Sequence, residues 1–319
     1  SIAGNSIDRS NNSGEGRNYF NCGDQDYVVV KENIFNNDNY FEYVRYVDSI
    51  VGNQILNVEN KSAITINNGA TFIANNYIHT KGQLESKAIY LTTSSSLSGT
   101  VIAHNSIENS GTAGASSYGL YLAGDVSNIT VKNNIFSTIG GGTPLFVAST
   151  LTNPDWDYNC YYTTGNSIAN FNNSNYSSVS ALGAAMGSDA NSLNLNPFYV
   201  SNTNLMVSQR QLNGAGIYVP GCNVDIDNEV RNASAPDIGA QEFTVDFGIL
   251  DLLQPTLNCF HTNSEAVEFR VVQYGDAAFV DLQIAYQVNG GAITTETITG
   301  TTFSDIDYTF STTEDLSAI

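Results

Sequence analysis

Short runs of apolar residues alternate with polar ones along the first half of the chain, and one six-residue pattern recurs seven times. Each copy begins with a β-branched or aromatic residue, passes through two variable residues to Asn, and ends, after one more variable residue, with Ile, Phe or Tyr. The copies occupy residues 2–7, 30–35, 50–55, 73–78, 102–107, 131–136 and 156–161. Their asparagines are Asn5, Asn33, Asn53, Asn76, Asn105, Asn134 and Asn159, at steps of 28, 20, 23, 29, 29 and 25 residues.

A repeat of this length with one strand-like cluster per copy predicts a solenoid. Helical repeats would need apolar residues at i, i+3, i+4 and i+7, and the segments lack that spacing. Further short apolar runs at 63–66, 88–91, 119–122 and 144–147 give each coil two or three strands. The variable step favours a β-helix, because its bends accept loops of different lengths. At roughly 25 residues per coil, residues 1–243 would form about nine or ten coils, roughly 45 Å long.

The repeated Asn has a structural interpretation. We expect it at the bend between strands, in the left-handed region of backbone space, which Asn enters at lower cost than most residues. Its amide would bond to the equivalent Asn of the next coil and so form a ladder. The Ile, Phe or Tyr two residues later would point into the core.

The balance of basic and acidic residues limits the classes of partner that the chain can bind. Lys and Arg number 11 against 31 Asp and Glu, a formal net charge of −20. Nucleic acid and anionic lipid are therefore poor partners, since both attract basic residues. No apolar stretch is long enough to span a bilayer. The N-terminal residues lack the features of a signal peptide, and we expect the chain to begin in mid-pattern.

The cysteines, Cys22, Cys160, Cys222 and Cys259, are widely spaced, which argues against zinc and CxxC redox chemistry. The sequence does not give their pairing, and we expect mostly buried small residues.

The end of the solenoid carries more specific motifs. Residues 195–200 resemble the "NP-x-F" segment that opens the closing coils of bacterial β-helix proteins. Residues 225–231 and 235–243 resemble the "DIDG-x-x-R…PDIGAxEF" ending of those proteins, with Asn228 where Gly is usual. The resemblance to the right-handed parallel β-helix superfamily covers residues 1–243.

Residues 255–319 resemble the adhesion-type immunoglobulin-like repeats of giant secreted proteins of Bacteroidetes, with 244–254 as a linker. The matching segments are 255–259, 285–291, 296–300 and 308–312, and Asn289-Gly290-Gly291 predicts a hairpin turn. In that family the domain continues for one or two more strands, so we expect this one to be truncated. The resemblance implies an extracellular location and export by the type IX secretion route. Asp48-Ser49-Ile50 also fits a short O-glycosylation motif of that phylum, with Ser49 as acceptor.

The sequence offers few candidates for catalytic or metal-binding residues. β-Helix lyases use acidic Ca²⁺ ligands and a Lys or Arg base, yet cationic residues are scattered here. Hydrolysis needs two or three Asp on adjacent coils, and Asp155 and Asp157 lie on one coil. Trp156 between them could stack on a sugar. Asp225, Asp227 and Glu229 alternate like the start of a Ca²⁺ loop, although a structural turn is the favoured interpretation.

His79 and His104 are separated by about one coil, and we expect a solvated or loop-packed role for each. Most Tyr and Phe would form core ladders, while exposed Tyr on one face of the solenoid could bind a glycan.

We therefore expect an all-β chain, a right-handed parallel β-helix followed by an immunoglobulin-like sandwich, that acts as a bacterial surface adhesin or structural stalk without catalytic residues. Its expected partners are other domains of the same long chain, secretion or anchoring machinery and surface polysaccharides or glycans. No cofactor is required, although Ca²⁺ is possible. The alternatives are a polysaccharide lyase or glycoside hydrolase on the same fold, and a glycan-binding module.

Overall fold

The structure is a computed structural model that describes most of the chain. The described residues are 2–8, 28–37, 41–45, 47–68, 71–92, 98–113, 116–124, 126–148, 151–242, 247–256, 261–273, 281–299 and 305–317. They divide into two compact units, Ser1–Glu242 and Phe243–Ile319.

The first unit is built from three sheets of seven strands each. The first sheet contains β1 (Ile2–Ala3), β3 (Val28–Lys31), β6 (Val47–Val51), β9 (Phe72–Ala74), β12 (Val101–Ala103), β16 (Thr130–Lys132) and β20 (Asp155–Asp157). The second contains β2 (Ser6–Asp8), β4 (Ile34–Asn36), β7 (Gln54–Glu59), β10 (Tyr77–Lys81), β13 (Ser106–Asn109), β17 (Ile135–Thr138) and β21 (Cys160–Thr163). The third contains β5 (Phe41–Arg45), β8 (Ser62–Asn68), β11 (Ser86–Leu91), β14 (Ser117–Leu122), β18 (Thr143–Val147), β22 (Ala169–Phe171) and β23 (Ser174–Tyr176). A small parallel pair, β15 (Val126–Ser127) with β19 (Leu151–Thr152), accompanies them.

Strands of successive coils pair in parallel, so equivalent residues of each repeat lie one above another. The inward positions of the three sheets are apolar or aromatic and form a continuous core. Their buried rows are Ile50, Ile73, Ile102, Val131 and Trp156; Phe35, Ile55, Ile78, Ile107, Phe136 and Tyr161; and Ile64, Ile89, Leu120, Leu145 and Ala169. The predicted all-β class and parallel solenoid are confirmed.

The C-terminal edge of each sheet is capped. The backbone N–H of Asp189 donates to the carbonyl of Trp156 in β20, at 2.8 Å. That of Tyr161 in β21 donates to the carbonyl of Leu193, at 2.9 Å. The third sheet ends in β23, which pairs antiparallel with β22. The bonds to β20 and β21 reduce the open strand edges through which solenoids would otherwise associate.

A short helix, α1 (Val179–Met186), closes the same end of the core. Ser178 caps its first turn by accepting the Ala181 N–H, and Gly187 ends it in the left-handed conformation, φ 70°. Leu182 is fully buried against the last coil.

The residues after the caps do not continue the solenoid. Residues 195–242, here called the return segment, run back over the outer faces of the first two sheets. On the first sheet, Val219 and Cys222 pack against Ala74 and Ala103. The second sheet is covered by Leu205, Ile226 and Ala240, which pack on Leu56 and Tyr77.

The prediction of nine or ten coils is therefore wrong for the part of the chain that the structure describes. Each sheet has seven strands there, and the residues assigned to further coils form the return segment instead. The outer faces of the first two sheets carry apolar residues, and covering them removes that surface from water.

The second unit consists of two antiparallel sheets. β24 (Phe247–Gln254), β25 (Glu265–Gln273) and β28 (Ile306–Glu314) form one, and β26 (Asp281–Gln287) with β27 (Ile293–Thr299) forms the other. Their shared core contains Val267, Val271, Ile284, Ile298 and Phe310, consistent with an immunoglobulin-like sandwich. The predicted hairpin turn joins β26 to β27, with Asn289 and Gly290 at positive φ.

The linker assigned to residues 244–254 is wrong for its larger part. Residues 247–254 form β24, which pairs with β25 over its length. Phe247–Gln254 supplies a strand to the sandwich of the second unit, and the segments that resemble immunoglobulin-like repeats begin only after it.

Candidate functional site

The repeated asparagines form the predicted ladder. Each side-chain Nδ2 donates to the Oδ1 of the Asn in the next coil, from Asn5 to Asn159, at 3.0, 3.0, 3.1, 2.9, 2.9 and 3.1 Å. The backbone N–H of each residue donates to the same Oδ1 at 2.9–3.1 Å. All members beyond Asn5 are fully buried, so their amides serve the fold and not a ligand.

The bend differs from the prediction in one detail. The residue in the left-handed region is the one before each ladder Asn, for example His104 (φ 52°) and Asn133 (φ 57°). The ladder Asn itself keeps ordinary backbone geometry. Its role in successive copies of the repeat is thus hydrogen bonding between coils, while the preceding residue makes the turn.

The proposed Ca²⁺ ligands do not converge. Both oxygens of the buried Asp225 carboxylate accept backbone N–H groups, those of Asp227, Glu229 and Glu242 at 2.9, 2.8 and 2.9 Å. Asp227 and Glu229 point to solvent. Burial and the neighbouring Asp225 and Glu229 carboxylates raise the pKa of Asp227. Among the described residues no three His, Cys, Asp or Glu side chains are grouped to hold a metal. The geometry is that of a tight turn.

Arg231 and Glu242 of the closing motif form a buried network. Arg231 Nη1 donates to Glu242 Oε2 at 3.0 Å. Its Nη2 donates to Asn75 Oδ1 and to the carbonyls of Gly239 and Ala240, at 3.0, 3.1 and 2.9 Å. This network fastens the return segment to a bend of the solenoid.

Trp156 was a wrong candidate for sugar contact. It lies in register with Val131 on the inward side of β20 and is only 2% exposed. Inward placement follows from the repeat, since Trp156 opens the seventh copy of the pattern. Asp155 forms an ion pair with Lys132 at 2.6 Å, and Asp157 binds Asn191, so the flanking carboxylates have structural partners.

His79 and His104 are both buried, so of the two expected roles, solvated or loop-packed, the solvated one is wrong. His79 contacts Asn57 Oδ1 and Ser110 Oγ at 3.2 and 2.8 Å. Burial, with a smaller effect of Lys81, lowers the pKa of His79 to about 4. His104 lies at a bend and His79 in β10, so the structure does not pair them. A neutral imidazole in each position completes hydrogen bonds of the fold.

Cys160 and Cys222 are buried free thiols, as expected, and burial raises their pKa to about 12 and about 11. Cys22 and Cys259 lie outside the described residues. Ser49 is partly exposed in β6, between Val29 and Phe72 of the neighbouring strands. Its glycosylation stays a prediction.

The third sheet carries the most distinctive surface of the solenoid. Its outward positions align Thr65, Tyr90, Tyr121, Phe146 and Asn170 on successive strands. Tyr90, Tyr121 and Phe146, here called the aromatic row, are each partly exposed. The Tyr121 and Phe146 rings are stacked with centroids 4.6 Å apart, and Tyr90 meets Tyr121 edge-on at 5.4 Å.

Charged groups border the aromatic row. Lys87 Nζ lies 4.6 Å from the Tyr90 centroid and 4.9 Å from that of Tyr121, and pairs with Glu85 at 2.8 Å. Tyr118 packs edge-on against Tyr121 and Phe146. Burial, with nearby Tyr121 and Glu85, raises the pKa of Tyr118 to about 12, so its hydroxyl stays protonated at neutral pH.

The aromatic row had a signal in the sequence that the repeat alone does not reveal. When the runs at 63–66, 88–91, 119–122 and 144–147 are aligned, the third position holds Thr65, Tyr90, Tyr121 and Phe146. The neighbouring positions are apolar and inward. The aromatic residues therefore had to face outward once the register was known.

Comparison with known proteins adds no identification: no protein-family model, curated protein or solved structure matches the chain. Within the described part, no helix combines the length and the apolar character needed to cross a membrane.

Proposed function

We propose that the chain is a non-catalytic attachment module of an extracellular bacterial surface protein, and that it binds an extended polysaccharide through the aromatic row. The observation that carries the proposal is the contrast among the faces of the solenoid. The return segment packs on the outer faces of the first and second sheets. The third sheet keeps Tyr90, Tyr121 and Phe146 partly exposed in a continuous line.

The chemistry of this line suits a sugar polymer. Tyrosine presents an apolar ring and a hydroxyl, which match the C–H and O–H groups of a pyranose. One face of the Tyr121 ring is turned to Phe146, so ring edges and the tyrosine hydroxyls are what a ligand would meet. The net charge of −20 opposes nucleic acid and anionic lipid as occupants.

A rigid solenoid also suits display. The ladder and the buried core hold the outward side chains at fixed positions, so several weak contacts with one polymer can act together. Export by the type IX route and a place in a longer adhesin remain parts of this proposal that the resemblance alone supports.

Affinity electrophoresis in gels containing soluble polysaccharides tests the proposal. We expect at least one neutral polysaccharide to retard the protein. The double variant Tyr121→Ala/Phe146→Ala should weaken that retardation by about tenfold, which corresponds to about 1.4 kcal/mol. Tyr162→Ala is the matched control, because Tyr162 is a partly exposed aromatic residue of the second sheet.

Failure of every polysaccharide to retard the protein, or equal loss in the row and control variants, would refute the binding role. The same preparation should be incubated with pectin, alginate and chondroitin in the presence of Ca²⁺. Release of unsaturated products would instead identify the chain as a lyase.

A further inference from the structure

A second candidate site lies where the return segment crosses the bends of the solenoid. A cavity of about 150 Å³ opens there, between His104 of the solenoid and residues 218–236 of the return segment. Val219, Val230 and Pro236 give it largely apolar walls. A cavity of about this volume can hold a benzene molecule. A group of four heavy atoms therefore fits inside, whereas a whole sugar ring does not.

Arg231, one of the residues that line this cavity, has one unused hydrogen-bond donor. Arg231 lines the cavity, and its two terminal nitrogens bind Glu242, Asn75 and two backbone carbonyls. Its buried Nε–H has no partner among the described residues. His104, which also lines the cavity, has hydrogen-bond partners for both ring nitrogens, namely Asn133 Nδ2 and the Gly239 carbonyl. An unused buried donor favours a ligand with an acceptor atom.

The charged groups near Arg231 determine which kind of acceptor atom a ligand can place beside the Nε–H. The Arg231 guanidinium is already paired with the buried Glu242 carboxylate at 3.0 Å, and the buried Asp225 carboxylate also interacts with it. A carboxylate or phosphate would enter a buried place beside two carboxylates, which is unfavourable. A neutral carbonyl oxygen can accept the Nε–H without that penalty.

The rim supplies a surface for the rest of the ligand. Tyr218 lines the cavity and is 50% exposed. Its hydroxyl donates to Asn223 Oδ1 at 3.4 Å, so an aromatic ring and an amide lie together at the entrance. Such a pair is suited to a pyranose, whose C–H face packs on the ring while a hydroxyl meets the amide.

From these features we propose that the cavity binds the acetamido group of an N-acetylated amino sugar. The carbonyl oxygen accepts the Arg231 Nε–H, the methyl group packs against Val219, Val230 and Pro236, and the pyranose lies on Tyr218. This site is separate from the aromatic row and does not depend on the proposed function.

Saturation-transfer difference NMR and calorimetry of the full chain with three trisaccharides test the proposal. The probes are chitotriose with its N-acetyl groups, the same trimer after de-N-acetylation, and cellotriose. We expect the acetyl methyl protons of chitotriose to receive the strongest saturation. The other two trimers should bind at least tenfold more weakly, because they lack the group that fills the cavity.

Two variants separate the cavity from other surfaces. Ala233→Phe places a ring at an exposed position of the cavity wall, and Tyr218→Ala removes the platform. Each should weaken chitotriose by about tenfold or more, while Phe198→Ala, which removes another exposed aromatic side chain, should not. Circular dichroism and thermal unfolding confirm that the variants are folded.

Equal binding of chitotriose and cellotriose would overturn the proposal, as would the absence of chitotriose binding. Unchanged affinity in folded Ala233→Phe would also overturn it. Loss of chitotriose binding in Tyr121→Ala/Phe146→Ala, with no effect of Ala233→Phe, would assign the sugar to the aromatic row and not to the cavity.

Discussion

Replacing Asn105 with Ala removes one interior rung of the amide ladder. In the structure Asn105 Oδ1 accepts both the backbone N–H and the side-chain Nδ2–H of Asn76, at 3.1 and 2.9 Å. Asn105 Nδ2 in turn donates to Asn134 Oδ1 and to the carbonyl of Ile73, each at 2.9 Å. The side chain is fully buried, so water cannot replace these bonds.

The loss in the free energy of unfolding follows from the hydrogen-bonding groups of Asn76 and Asn134 that remain after the substitution. Asn134 Oδ1 keeps the Asn105 backbone N–H at 3.1 Å. The two Asn76 hydrogens lose their acceptor inside the protein. An unsatisfied buried donor costs about 1–3 kcal/mol, so Asn105→Ala should lower the free energy of unfolding by about 4 kcal/mol.

Urea unfolding followed by tryptophan fluorescence measures this effect in the solenoid alone. Trp156 is the only tryptophan of the chain and lies in the solenoid core. Its emission therefore reports on the first unit without a contribution from the second. The midpoint should fall while the dependence on urea stays near that of the parent protein.

Asn5→Ala is the matched control at the end of the ladder. Asn5 is exposed, and Asn33 Oδ1 keeps the Asn5 backbone N–H at 3.0 Å, so the loss should be below about 1 kcal/mol. A loss below about 1 kcal/mol for Asn105→Ala, or similar losses for the two variants, would refute the role given to the ladder.

Two further predictions concern buried charge. Arg231→Met leaves the Glu242 carboxylate buried without its cation, so the free energy of unfolding should fall by about 3–5 kcal/mol in the same urea assay, and a loss under about 1 kcal/mol would contradict the network. The pKa of His79 is about 4 in the folded chain against 6.5 for a free histidine, so the unfolded chain binds the proton first as pH falls. The contribution of His79 to the free energy of unfolding should therefore be complete above pH 6.5, and about 3 kcal/mol of it should be lost as pH falls toward 4. His79→Gln should show a smaller decline in urea unfolding across that range, and an identical decline would exclude His79 as the cause.

The repeat by itself determined the solenoid, its ladder and its inward rows. Each coil contains its own Asn and its own apolar positions, and stacking only has to bring a copy onto the next one, 20–29 residues away. The hydrogen bonds from Asn5 to Asn159 and the burial of Ile78 and Phe136 follow from that periodic arrangement.

Only the tertiary structure decided where the solenoid ends and which of its faces stay open. The return segment binds residues far away in sequence, as in the bonds from Arg231 to Asn75 and from Asn133 to Ile217, which span 156 and 84 positions. No periodic pattern encodes such contacts, because each is made once and depends on how apolar outer faces are covered. For this reason the sequence predicted too many coils, left open whether His104 is solvated or packed, and gave no sign of the cavity beside Tyr218.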